Sequence, residues 1–244
     1  MMSKLFVILF VGLLSSAVWS DTLTIGVEEM DYLPISSGEG GNYRGYSREL
    51  LDTFGAKYGH TFTYKPMPVA RLFEEMFIKK TLDLKYPDDA HWVADRKKGL
   101  NVTYSKKIVG VTDGLLVLPA NQGKGRPVTK IVTIRGFTPY PYLDQIKAGK
   151  MTLAEVNTPK VAIAMVAAGR VDGVYLGVMA ANYIMEEGTN KSRVLIYDDK
   201  LPKGVNSYSM STLSRPDVIK QMDEFLVKFK DTVTQLKTKY KIEE

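Results

Sequence analysis

Two successive runs of alternating strand-like and helix-like segments, preceded by a short apolar leader, predict an α/β protein of two lobes; the complete lack of cysteine adds that the fold holds without disulfides. In the leader, Lys4 supplies a positive start, residues 5–14 are an apolar stretch, and the small residues Ser15, Ser16, Ala17 and Ser20 follow. This fits a secretory signal over residues 1–20, cleaved before Asp21. The apolar run is shorter than the ~20 residues a bilayer-spanning helix needs, and nothing later approaches that length, so the exported chain is expected to be soluble. With Cys 0 in the sequence, lipid anchoring, thiolate metal sites and cysteine nucleophiles drop out together.

The elements follow in order. Residues 23–27 (LTIGV) are a short apolar run between turn residues and read as a buried first strand. The next loop carries Gly38, Gly40, Gly41 and Gly45, yet no Gly-Lys-Ser/Thr opens the following helix, so it reads as turns and not as a phosphate cradle. Ser47 is positioned to cap a helix through Leu50, Leu51, Phe54 and Lys57 that Gly59 stops, and residues 61–65 (TFTYK) alternate as a strand. Leu72, Phe73, Met76 and Phe77 have helical spacing within 69–79, and 82–86 is the next strand.

A second series begins with strands at 114–118 and 130–134, separated by a flexible polar crossing at 120–127. A helix through Val161, Ile163, Ala164, Val166 and Ala167 leads to a strand at 171–176, a helix at 179–187 and a strand at 194–197. Ser214 as cap and Pro216 in the first turn open a last helix, apolar at Val218, Met222, Phe225, Leu226 and Phe229. Such alternation predicts a mainly parallel sheet in each lobe.

Composition narrows the function classes. At 45% hydrophobic and 25% charged the chain is globular, neither disordered nor fibrous. The formal net charge of +6 is scattered; the lysines between 228 and 241 alternate with Asp231 and apolar residues as on a solvated helix face. Basic and aromatic residues do not interleave along one element, so no nucleic-acid partner is expected.

Four fragments in order resemble the extracellular solute-binding proteins, family 3, that serve ABC importers for amino acids and other small polar solutes. Gly45, Tyr46 and Ser47 with the helix after them are similar to a "G-y-x-x-D/E-l-l" element, and Leu82, Asp83, Leu84 to "G-k-x-D-l", with Lys80 in place of the usual glycine. Residues 92–105 resemble "T-x-x-R-e-k-x-x-x-F-S-x-P", with Asp95 and Arg96 at its acidic-plus-arginine pair, and residues 168–173 (AGRVDG) resemble "l-x-x-G-R-v-D-a". The resemblance implies the two-lobed periplasmic-binding-protein type II ("Venus flytrap") fold, with two hinge crossings. Lobe one would be 21–108 plus 206–244, and lobe two 109–205. It also implies a periplasmic monomer that needs no cofactor and passes its solute to an inner-membrane permease or to a sensor receptor.

The same resemblance nominates residues. Arg96 stands where the family grips a solute carboxylate, and a guanidinium suits that task because it offers two parallel hydrogen bonds; the neighbouring lysines also allow a surface turn. Arg71, in a segment similar to "p-w-x-R-a", would sit at the start of a cleft-facing helix, or else pair with Glu74 or Glu75 on that helix. Tyr32 and Trp92 are candidate aromatic walls or ordinary packed residues. Arg135, Thr138 and Tyr140 follow a second-lobe strand, where Gly136 permits close approach to a solute. Amino-acid binders of the family place an acid where this chain has Gly177, so the solute is either not a standard α-amino acid or meets its anion at Glu28, Glu29 or Asp88. An enzyme on the same fold is the rival. His60 and His91 are the only histidines, no HExxH or GxSxG occurs, and only carboxylates such as Glu28 and Asp88 would serve as acid or base.

Overall fold

The computed structural model describes residues 21–125, 127–187 and 193–243, so the expected leader and Arg126 of the 120–127 crossing lie outside the described residues. The first half comprises β1 (Asp21–Glu28), a small ladder of β2 (Asp31–Tyr32) with β3 (Ser36–Ser37), α1 (Tyr46–Tyr58), β4 (His60–Met67), α2 (Val69–Phe73), β5 (Leu84–Asp88), α3 (Ala94–Lys97) and β6 (Thr103–Tyr104). The second comprises β7 (Val109–Val117), β8 (Lys130–Ile134), α4 (Leu143–Lys147), β9 (Thr152–Val156), α5 (Pro159–Ala167), β10 (Gly173–Gly177), α6 (Val178–Glu187) and β11 (Ile196–Tyr197). β12 (Gly204–Thr212) then returns to the first half, which α7 (Pro216–Lys228) and α8 (Lys230–Lys239) complete.

Local sequence explains the helices, with three differences from expectation. Leu50, Leu51 and Phe54 put one face of α1 in the core, and Gly59, left-handed at φ 77°, closes the helix by donating its N–H to the Gly55 carbonyl. Its start is capped by Gly45 at φ 102° and not by Ser47, which is buried inside the first turn. A side chain at position 45 would come within 2.9 Å of the Ile35 carbonyl, so the entering chain leaves room only for glycine there. Likewise Arg215, not Ser214, occupies the N-cap of α7, because Thr212 Oγ1 already accepts the N–H groups of both residues. The last helix is two: at Phe229 the backbone leaves the helical region (φ −112°, ψ 32°) and restarts as α8.

The strands form one curled sheet in the order β4-β1-β5-β12-β7-β10-β8-β9, with β6 beside β12 and β11 beside β7. Its wings, β4-β1-β5 and β10-β8-β9, are parallel as expected. The middle is antiparallel, since β12 runs back against both β7 and β5. Residues 204–208 of β12 pair with β7, and at Ser209 the strand changes partner to β5, with a register irregularity before Ser211. At this irregularity Met210 donates its N–H to Ser105 Oγ at 2.9 Å, while its carbonyl accepts from Ser105 N at 2.9 Å.

Each half has its own core. In the first, α1, α7 and α8 pack together on the sheet: Phe54 meets Phe225 edge-on at 5.6 Å, and Glu49 accepts from Lys239 and Tyr240 at 2.6 and 2.7 Å. Each fully buried ring or aliphatic chain contributes ~1.5–3 kcal/mol. Met30 and Tyr32, which leave the end of β1, pack into the core of the second half against residues such as Leu176 and Ala180. The halves are thus joined by the β7 and β12 crossings and clasped by this loop.

Candidate functional site

The site is founded on charge buried at the end of β5. All five residues of this strand are buried, among them Lys85 and Asp88. Asp88 Oδ1 accepts from Lys97 Nζ at 2.8 Å and Lys85 Nζ at 3.1 Å, and its Oδ2 accepts from Ser211 Oγ at 2.7 Å. Lys97 reaches in from α3 and also donates to the Asp89 carbonyl at 2.7 Å, while Lys85 donates to the Pro87 carbonyl. Burial alone would raise the Asp88 pKa, but Lys85, Lys97 and the Ser211 hydroxyl outweigh it and hold the carboxyl below its ordinary range. Burial lowers the Lys97 pKa, with Asp88 pulling the other way. The cluster pins α3 and the loop before it to the sheet, and so positions Trp92 and Arg96.

Beside this cluster a cavity of about 90 Å³ lies between the halves. Its walls are aromatic: Trp92 stands edge-on to Tyr208 at 5.4 Å, and Phe73 and Phe137 face in from either half. Arg96 is on its rim, exposed, with the guanidinium carbon 4.2 Å from the centre of the Phe73 ring. Such stacking leaves the planar edge of the guanidinium open for a carboxylate.

The inner end carries two buried carboxyl groups. Burial pushes Glu28 up to about 7 against the pull of Lys85, with Asp113 and Asp88 adding to the rise. Asp113 also rises to about 7, through burial first, with a hydrogen bond from Asn206 opposing and Asp89 adding. A carboxyl whose folded pKa lies above its unfolded value contributes stability that is complete below the unfolded pKa and lost as pH rises through the folded one. The protein should therefore lose stability from about pH 4 to 7, by up to ~1.4 kcal/mol per pH unit for each group. Asp88 and the surface groups Glu49 and Asp217, whose pKa values are lowered, act in the opposite sense, and only below that window. Thermal melts from pH 5 to 8 should fall for the parent protein and flatten for Glu28→Gln with Asp113→Asn; parallel slopes in the two would refute the assignment.

The sequence-nominated residues divide. Arg96, Trp92, Asp88 and Thr138 come together on the cavity. Tyr32 is buried between the halves, edge-on to Phe137 at 5.9 Å, and accepts the Gly177 N–H at 2.5 Å. Tyr140 stands one step behind the cavity, donating to Asn206 Oδ1 at 2.9 Å. Arg135 is exposed on a separate, wider groove between the halves that Lys160 and Asp31 also line. Arg71 points away from the cavity, with a side chain 68% exposed and Glu75 at 3.7 Å, the helix-surface pairing the sequence also allowed. Glu29 is exposed, outside the cavity. Sequence reasoning passed over Lys85, Asp113, Phe73, Phe137, Tyr175 and Tyr208. The available signal for two of them was charge inside an otherwise apolar strand, Asp113 alone in VGVTDGLLV and Lys85 together with Asp88 in LKYPD.

No protein-family model matches the chain, and no curated protein matches it in sequence. Solved structures do. A mutant of the ArgBP of T. maritima aligns with a TM-score of 0.69 at 17% identity, over 91% of this chain and 96% of that one. A histidine kinase sensor domain described as similar to periplasmic binding proteins aligns at 0.74 and 18% identity, over 91% and 96%. The substrate-binding protein of an ABC uptake transporter from Streptococcus pneumoniae, with histidine bound, aligns at 0.68 and 20%, over 90% and 92%. The likeness establishes the fold: a two-lobed α/β architecture of the periplasmic-binding-protein type II, crossed twice at the hinge.

Proposed function

We propose that this protein is a periplasmic solute-binding protein of the family 3 kind, which captures a small, polar, carboxylate-bearing solute between its lobes and presents it to an ABC importer. The observation that carries this reading is the aromatic-walled interlobe cavity with an arginine on its rim and charged groups at its inner end. Arg96 receives the solute carboxylate, Trp92 and Phe73 shield it, and Thr138 contributes a hydroxyl from the facing lobe. Closure about the β7 and β12 crossings sequesters the solute. The signal-like leader supports export, and among the described residues no helix is long and apolar enough to cross a membrane.

Calorimetric titration of the purified protein with amino acids and short organic acids tests the reading. Charge-assisted hydrogen bonds are each worth ~1.5–3 kcal/mol, so Arg96→Ala should weaken any carboxylate ligand by about 10- to 100-fold. Equal affinities for parent and variant would remove Arg96 from the role. The likeness to a kinase sensor domain favours a second partner, a membrane receptor, served by the same solute chemistry. Pull-down of a permease or a sensor kinase by the solute-loaded protein separates the two. Glu28 and Asp113, both near 7, favour one further reading, an acid–base enzyme. That reading requires a bound solute to be converted, which mass spectrometry of the incubated solute would reveal.

A further inference from the structure

The two crossing strands have a second face. Residues that stand opposite each other in an antiparallel pair point to the same side, and successive residues alternate. Gly204 stands opposite Asp113 and Asn206 opposite Val111, on the side of the cavity that Asp113 and Tyr208 line. Val205 stands opposite Thr112, so these two point the other way, and both line a groove of about 540 Å³ behind the hinge. Groove and cavity are thus separated by the thickness of one two-stranded ribbon.

The groove spans both halves. Tyr183 on α6 and Tyr197 on β11 border it from the second half, and Tyr240 with Lys241, just past α8, from the first. Tyr240 is held in place by donating to Glu49 on α1 at 2.7 Å. Val205, 73% exposed, gives the groove an apolar surface, with Val178 and Met179 of α6 beside it. Among the charged residues of the lining, Lys107, Arg193, Lys203 and Lys241 outnumber Glu186 and Glu243. Arg193 is paired with Glu186 at 2.5 Å, whereas Lys203 and Lys241 are exposed and have no ion-pair partner among the described residues. A flat apolar body with negative charge at its edge complements such a surface.

We propose that this rear groove is a second, regulatory binding site for an organic anion with an aromatic body, and that its occupant holds the front cavity shut. The direction follows from how the halves stand. They already meet at the front: a Cβ on Gly136 of the second half would lie 3.1 Å from the backbone nitrogen of Ala70 in the first, and Lys160 reaches Asp31 at 3.6 Å. A rotation about the ribbon that opens the front brings α6 toward residues 240–241 and narrows the groove behind. An occupant that fills the groove as it stands opposes that rotation, so each site strengthens binding at the other by the same factor. The coupling rests on the reading of the front cavity as a solute site; binding in the groove does not.

The test uses 2-naphthalenesulfonate as the probe and 2-naphthalenemethanol as its uncharged counterpart, each titrated calorimetrically into the purified protein. The parent should bind the sulfonate about fivefold or more tighter than the alcohol, and Lys203→Gln with Lys241→Gln should remove most of that difference. Arg96→Ala should leave sulfonate binding unchanged. Saturating sulfonate should tighten the best front-cavity carboxylate by about fivefold or more, an effect that Val205→Glu abolishes. Equal binding of sulfonate and alcohol, or a preference that survives in the double lysine variant, would overturn the anion class. Loss of sulfonate binding in Arg96→Ala would put the probe in the front cavity and overturn the rear site. A carboxylate affinity unmoved or weakened by bound sulfonate would overturn the regulatory role. If no carboxylate binds the parent, the solute reading fails, while sulfonate binding still decides the groove. No sulfonate binding by the parent overturns the groove site, and a dimer that Val205→Glu disperses would then give this face to a second copy.

Discussion

Asp88→Ala should cost the protein about 3–5 kcal/mol of unfolding free energy, the cost of stranding buried charge, and should cripple solute binding in the same step. Lys85 and Lys97 have side chains only 5% and 6% exposed, and Asp88 is the one carboxylate that both ammonium groups touch among the described ion pairs. Without it two cations face each other in a low-dielectric interior, and the Ser211 hydroxyl loses its acceptor. The cheapest relief is for α3 to swing away with Lys97, which would carry Arg96 and Trp92 off the cavity. Asp88→Asn keeps the shape and loses only the charge, so it should fall between the parent and Asp88→Ala. Urea denaturation gives the stability and titration of the best ligand gives the binding. A cost under about 1 kcal/mol for Asp88→Ala would mean that the cluster does not hold α3 as described.

The second large effect concerns one methyl group. Gly177→Ala would drive a Cβ to 2.8 Å from Tyr32 Oη, with Asp113 Oδ1 at 3.2 Å, and overpacking of that kind costs ~1–3 kcal/mol. Tyr32→Phe removes the obstructing oxygen but leaves the buried Gly177 N–H without its acceptor, a loss of ~1–3 kcal/mol. The two changes share one contact, so they should not add. Phenylalanine at 32 with alanine at 177 should be less destabilised than the sum of the single variants by ~0.5–3 kcal/mol, measured as a double-mutant cycle in urea. Strict additivity would show that Tyr32 and Gly177 do not meet across the halves.

Much of the fold was legible because its signals are local. The apolar run of 23–27, the left-handed stop at Gly59 and the period of α5 and α7 each follow from a few neighbouring residues. β9 and β12 were not read as strands. β9 is largely half-exposed, and β12 (GVNSYSMST) carries small polar residues that are buried only because β5, β6 and β7 supply their partners from afar. The site divides in the same way. Arg96 and Trp92 were visible through a sequence pattern, whereas Asp113 and Lys85 matter through what lies opposite them in space. Arg71 shows the converse: a resemblance in the chain nominated it for the cleft, with a pair on its own helix as the alternative, and the structure forms the pair with Glu75.

The change of partner within β12 bears on how the jaws swing. One ribbon belongs to both wings of the sheet, so a rotation between them need not unzip either ladder; it can be absorbed at a single knuckle, between the stretch bonded to β7 and the stretch bonded to β5. At that knuckle the amide of Met210 is tethered to the hydroxyl of Ser105, a group that turns about its own bond as the backbone pivots, in place of a rigid carbonyl. The wings are also linked by the β7 crossing and by the loop of Met30 and Tyr32 seated in the far core, so a pivot at Met210 is shared with those two links.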